Sequence, residues 1–260
     1  MKNLNPILLL SLALVLSACT SNKNFSAMNP ATKAGQTAQK FSITETRTLS
    51  ADYLLFLPEG YGADAGKKWP LILFLHGAGE RGTDVWMVAK HGPAKIDTTA
   101  TNFPFIVVSP LCPKEQSWSD DVLLALLDDV EKKYPVDTKR VYLTGLSMGG
   151  FGVWNLALSH PERFAAAAPI CGGGETILLT LAKDFDKDKI APLQSLPVWA
   201  FHGGKDPVVA HEESERMVEA LKKFGVKEVR LTIYPDAQHD SWTQTYANPE
   251  LFTWFLQHSR

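Results

Sequence analysis

The sequence predicts an α/β fold, with a mostly parallel central sheet covered by helices on both faces. Two observations point there. Continuous apolar runs recur along the chain, as expected of strands buried on both faces of a parallel sheet. Segments with apolar residues at helical spacing separate them, and strands alternating with helices argue for helices on both sides of one sheet. The length of 260 residues, with no internal repeat, suits one medium domain or a tight pair with ample chain to bury a core.

The elements follow in order. At the N-terminus, Lys2 gives a short positive start and Pro6 to Leu16 is an apolar run of signal-peptide length. It ends in Leu16-Ser17-Ala18-Cys19, which resembles a bacterial lipobox. That resemblance implies removal of residues 1–18, lipidation of Cys19 and a membrane anchor. Thr20 stands where lipoproteins retained at the inner membrane often carry Asp, which favours the outer membrane. The alternative is an ordinary secretory signal with an incidental cysteine. Residues 19–40 are rich in Ser, Asn, Thr, Ala, Gln and Lys without periodicity, and read as a flexible tether to a domain spanning 41–260.

Within that domain, "FSITETRTL" and "DYLLFLPEGY" read as two opening strands. Trp69–Gly77, Phe103–Pro110, Arg140–Gly145, Phe164–Gly173, Leu196–Asp206 and Glu228–Asp240 read as the remaining strands. Asp120–Pro135 has helical spacing, with acidic residues in its first turn and lysines near its end, matching the helix dipole. Met148–Pro161, His211–Gly225 and Asn248–Arg260 are further helices; Gly225 is a helix stop and Asn248-Pro249 a cap and first-turn pair. The segment from Gly174 to Ser195 is too short for a large lid.

Charge is nearly balanced, 26 Lys+Arg against 28 Asp+Glu, and no basic block is present. That argues against nucleic acid, whose phosphates need clustered Lys and Arg. No run after the N-terminus is long enough to span a bilayer. Acidic Asp184 to Lys189 lacks the glycine and glutamate of a calcium loop, and no His/Cys cluster has metal-ligand spacing, so no metal is expected. Cys112 and Cys171 fall at the ends of strands that are not neighbours. An exported protein could join them, but a bridge needs close α-carbons, and free or partly buried thiols are expected.

Gly145-Leu146-Ser147-Met148-Gly149 fits G-x-S-x-G directly after a buried strand and directly before a helix. That is the setting of a nucleophile elbow, where a strained turn lifts the serine hydroxyl above the sheet. A serine hydroxyl needs a base and an acid that orients the base. In α/β-hydrolases these follow in the order Ser, acid, His, each past a strand end. Asp206 and His239 occupy those positions, completing the expected triad Ser147, Asp206, His239. His202 lies within a strand end and reads as a packed histidine; His160, His211 and His258 fall on or beside helices; the position of His91 in a loop decides nothing. An oxyanion hole needs two donors, each worth roughly 3 to 4 kcal/mol of barrier. The Met148 N–H is one. The His76-Gly77-Ala78-Gly79-Glu80-Arg81-Gly82 loop supplies the other, from Ala78 or else Gly79. A phosphate loop fails as a reading because neither of its glycine signatures is present.

With "HGAGERG", "SPLCP" followed by Trp118, "GLSMGG", "AAPICGGG", "FHGGKDPVV" and "HDSW", the chain resembles α/β-hydrolases. It is most similar to bacterial esterases of the feruloyl esterase, acetyl xylan esterase and polyhydroxybutyrate depolymerase-like group, some of them labelled predicted peptidases. The resemblance covers most of the chain from Trp69 onwards. It implies an α/β-hydrolase fold without a large lid and hydrolysis of carboxylic esters through an acyl-enzyme on Ser147. It implies no cofactor. The substrate would be a small-molecule or polysaccharide ester met outside the cytoplasm. Trp118 and Trp242 either border the acyl pocket or are core residues; Glu80 and Arg81 either contact substrate or form a structural salt bridge. Two other readings remain: a serine peptidase of the prolyl-oligopeptidase type, and an inactive lipoprotein that only binds.

Overall fold

The computed structural model describes residues 40–95 and 103–260. The expected signal peptide, the expected lipidation site Cys19 and nearly all of the expected tether lie outside the described residues. Arg47–Arg260 forms one compact unit. Residues 40–46, the described part of an N-terminal unit, carry no helix or strand.

Seven strands form one sheet: β1 (Tyr53–Phe56), β2 (Trp69–Leu75), β3 (Ile106–Pro110), β4 (Val136–Leu146), β5 (Ala166–Ile170), β6 (Val198–Gly203) and β7 (Val229–Tyr234). Their order is β1-β3-β2-β4-β5-β6-β7, with β1 antiparallel to β3 and every other pair parallel. The helices are α1 (Asp120–Lys133), α2 (Met148–Ser159), α3 (Ile177–Phe185), α4 (Ile190–Ser195), α5 (Glu212–Phe224), α6 (Trp242–Ala247) and α7 (Pro249–Leu256).

Successive side chains of β2 go to opposite faces, and both faces are buried. Leu71, Leu73 and Leu75 pack with Leu123 and Leu127 of α1, Val153 and Trp154 of α2, and Met217 and Leu221 of α5. Ile72 and Phe74 pack with Leu251, Trp254 and Phe255 of α7. This two-sided burial explains why the strands are apolar throughout instead of alternating.

The structure departs from expectation at two kinds of place. Residues 41–49 form no strand: Phe41, Ile43 and Leu49 are exposed, so their alternation covers no core face. The opening strand is Tyr53–Phe56 alone, at the sheet edge. Three helices were not anticipated. α3 and α4 fill the Gly174–Ser195 connection, and α6 follows His239 immediately.

Candidate active site

β4 ends at Leu146, and α2 starts at Met148. Ser147 joins them with φ 53° and ψ −118°, a region that strains any residue with a Cβ. The turn is held from both sides. Ser147 N donates to Ile170 O at 3.0 Å and lies 3.3 Å from Cys171 Sγ. Gly149 lies so close to β2 that a Cβ there would overlap Leu75 O. The strain is therefore fixed by packing, and the hydroxyl is set at the C-terminal edge of the sheet.

His239, in the turn after β7, places Nε2 2.9 Å from Ser147 Oγ and Nδ1 2.7 Å from Asp206 Oδ2. Asp206, in the turn after β6, has a fully buried carboxylate. Its other oxygen accepts from Val208 N at 2.8 Å and Val209 N at 3.0 Å. Burial pushes this carboxyl's pKa up, but the His239 hydrogen bond and the two backbone donors outweigh it and hold the group below its ordinary value. It stays ionised and fixes the His239 proton on Nδ1, leaving Nε2 free to accept from the serine. The three side chains form one hydrogen-bonded line from acid to imidazole to hydroxyl, able to transfer a proton away from Ser147 Oγ.

Two backbone segments flank the hydroxyl. Met148 opens α2, so its N–H has no partner within the helix, and the same applies to Ala78 at the start of the short turn Ala78–Glu80. A Cβ at Gly77 would stand 2.8 Å from Leu146 Cδ1 and 3.5 Å from Ser147 Cβ, so this loop closes directly on the serine. Exposed Ala78 and Gly79 follow it.

The loop is braced by residues whose part the sequence did not announce. Buried His76 accepts from Cys112 N at Nε2 (2.9 Å), so its proton sits on Nδ1 and is donated to Gly77 O at 2.6 Å. Burial lowers the His76 pKa, which keeps the ring in this neutral form. Glu80 is buried and accepts from Gly77 N at 3.0 Å, with its other oxygen 3.7 Å from His91 Nε2. Both carboxylate oxygens thus face groups of the protein, Gly77 N and His91 Nε2. Arg81 donates to Ala78 O and Gln116 O and makes no ion pair with Glu80. Trp118 donates to His76 O at 3.3 Å and meets that ring edge-on. Trp242 is half-buried, its ring 5.3 Å from the His239 ring and 5.5 Å from that of His91. Trp242 thus lies beside His239, and Trp118 is hydrogen-bonded to the loop.

His160, His211 and His258 are not part of the line. His160 faces Asp120 and Glu162, His211 faces Glu212 and Glu215, and His258 packs on Trp254. Asp236 is exposed and pairs with Lys205. Cys112 and Cys171 are free and buried; burial pushes the Cys171 thiol up to about 12, which makes it a packing residue rather than a nucleophile. Among the described residues no cluster of His, Cys, Asp or Glu could hold a metal, and no helix is long and apolar enough to cross a membrane.

The dienelactone hydrolase family model matches residues 34–249. A bifunctional acetylxylan esterase/xylanase of Neocallimastix patriciarum is 27% identical over 201 residues, which cover 71% of this chain and 26% of that protein. A probable feruloyl esterase C of Aspergillus terreus is 27% identical, covering 66% of this chain and 60% of its own length. The chain thus spans less than two thirds of either relative. Among solved structures, a thermostable esterase is 36% identical with a TM-score of 0.67, covering 80% of this chain and 59% of the other.

Proposed function

The chain belongs to the dienelactone hydrolase family, and from that premise we propose that it is a serine carboxylesterase acting through an acyl-enzyme on Ser147. The observation that carries this reading is the unbroken line Asp206–His239–Ser147, with its two contacts of 2.7 and 2.9 Å. His239 Nε2 removes the hydroxyl proton as Ser147 Oγ attacks the ester carbonyl. The carbonyl oxygen becomes an oxyanion, met by the N–H groups of Met148 and Ala78. Collapse breaks the bond to the alcohol oxygen, which leaves with the proton from His239. A water then gives its proton to His239 and attacks the acyl-enzyme, and the acid is released as Ser147 recovers its hydrogen. Asp206 stays ionised throughout and orients the ring. No step calls for a metal or an organic cofactor.

The substrate class proposed is acyl groups on polysaccharide or related small esters, feruloyl or acetyl. The named activities of the relatives and the aromatic face of Trp242 beside His239 support it. The test is turnover of methyl ferulate, acetylated xylan, acetylated glucose and short triglycerides beside a chromogenic aminoacyl amide. Ester cleavage with little amide cleavage is expected; the reverse would replace this reading with a peptidase. A fluorophosphonate probe should label the protein, and an unlabelled, inert protein would instead be a binding lipoprotein.

The lipobox-like Leu16-Ser17-Ala18-Cys19 supports export and anchoring through Cys19, with the hydrolase held at the outer membrane. Cells fed an alkyne fatty acid should incorporate it into this protein, and Cys19→Ala should abolish incorporation. Labelling that survives in the variant rules out Cys19 as the anchor.

A further inference from the structure

The acid end of the site contains a second histidine. His202, the fifth residue of β6, is completely buried. Its Nε2 lies 3.0 Å from Val209 O and 3.3 Å from Asp206 Oδ2, the same oxygen that His239 Nδ1 contacts. Its Nδ1 lies 2.7 Å from Ser214 Oγ of α5, which is also 3.2 Å from Gly172 O in the turn after β5. Gly172 in turn packs against Gly150 and Phe151 N in the first turn of α2, the helix that Ser147 caps.

The partners determine the tautomer. Val209 O and Asp206 Oδ2 can only accept, so Nε2 must carry a proton. The groups around the ring are Asp206 and Val209 from the loop after β6, His211 and Ser214 at the start of α5, Gly172 after β5, and Ile233 paired across from β7. Burial pushes His202 below its ordinary value, with His211 adding to that and Val209 and Asp206 opposing it. The ring is therefore neutral, with Nδ1 unprotonated against Ser214 Oγ, whose single hydroxyl proton is shared between Nδ1 and Gly172 O. Nε2–H is donated to Val209 O at 3.0 Å, with Asp206 Oδ2 at 3.3 Å as its weaker second acceptor.

We propose that His202 is a positioning residue for the proton relay, its Nε2–H bracing Asp206 Oδ2 opposite His239. This rests on the serine-hydrolase reading above. Asp206 Oδ1 is saturated by two backbone N–H groups, and Oδ2 would otherwise face only His239. A second donor on Oδ2 fixes the carboxylate plane and draws off charge that would otherwise stabilise protonated His239. Through Ser214 and Gly172 the same ring ties the acid turn to the base of the nucleophile helix.

Two isosteric variants separate this role from packing. Glutamine can place a donor at the Nε2 position; asparagine reaches only the Nδ1 position, towards Ser214. The ionisation of His239 is read by NMR on histidine-labelled protein, beside the pH profile of kcat/KM for p-nitrophenyl acetate. In His202→Asn the His239 pKa and the acid limb of the profile should rise by roughly half a unit or more, because the carboxylate loses a donor. In that variant kcat should fall about tenfold with KM within about twofold, the pattern of a lost transition-state interaction. His202→Gln should restore both. Ser214→Ala, which leaves the ring in place but removes the hydroxyl partner of Nδ1, should shift His239 in the same direction by a smaller amount. An unmoved His239 titration in His202→Asn and Ser214→Ala overturns the proposal, as does an equal displacement by Gln and Asn. The titration needs no turnover, so an inert wild-type protein would count against ester hydrolysis alone.

Discussion

Ser147→Ala is expected to lower kcat for ester hydrolysis by on the order of 10⁶-fold, the scale on which loss of the nucleophile disables such a relay. The fluorophosphonate label should disappear with it. The loss is confined to chemistry because the turn survives. Ser147 N still donates to Ile170 O, Phe151 N still reaches the carbonyl of residue 147, and Gly149 still lies against Leu75. Alanine also has a Cβ, so the strain at φ 53° is unchanged. Circular dichroism and Tm should match the parent. More than about 1% of parental kcat in a folded variant is incompatible with an acyl-enzyme on this residue, given the scale above.

Asp206→Asn should cost on the order of 10⁴-fold in kcat, for a reason the surrounding bonds make specific. Val208 N and Val209 N both donate to Oδ1 and need an acceptor there. The asparagine oxygen must stay at that position, which puts its NH₂ group where Oδ2 now faces His239 Nδ1 and His202 Nε2. Facing a donor, His239 keeps its proton on Nε2 and cannot accept from Ser147 Oγ. KM should change little, since Asp206 is buried away from substrate. A loss of less than about tenfold would show that Asp206 does not set the tautomer, because a reversed tautomer alone accounts for the larger figure.

Much of this was legible along the chain. The six long strands from Trp69 onwards, four of the seven helices and the positions of Ser147, Asp206 and His239 follow from local signals: continuous apolar runs, helical spacing, and turns at strand ends. Local signals misled where their meaning depends on a neighbour. "FSITETRTL" alternates like a strand yet forms none, because alternation stabilises a strand only when one face is covered, and Phe41 and Ile43 are bare. Helices α4 and α6 lack a sequence pattern of their own: α4 contains Pro192 and α6 reads "WTQTYA".

The residues that support the site were the least legible. Glu80 reads as a surface charge beside Arg81, and only its burial beneath Gly77 shows that it fastens the loop. Trp118 and Trp242 are equivalent aromatics in the sequence; the fold bonds one to His76 O and sets the other beside His239. His202 reads as a packed strand histidine, and so it is, but what it packs against is the Asp206 carboxylate.

By itself the sequence determined the α/β architecture and the placing of a serine, an acid and a histidine at three strand ends. Both are written in short-range pattern, because burial on two faces demands continuous apolar strands and an elbow demands small residues around its serine. Only the tertiary structure decided which oxygen of Asp206 faces which ring, which way Glu80 turns and how His76 is protonated. Those outcomes depend on hydrogen-bond partners 33, 3 and 36 residues apart. A donor's role is set by the acceptor it meets, and that meeting exists only once the sheet has brought its strand ends together.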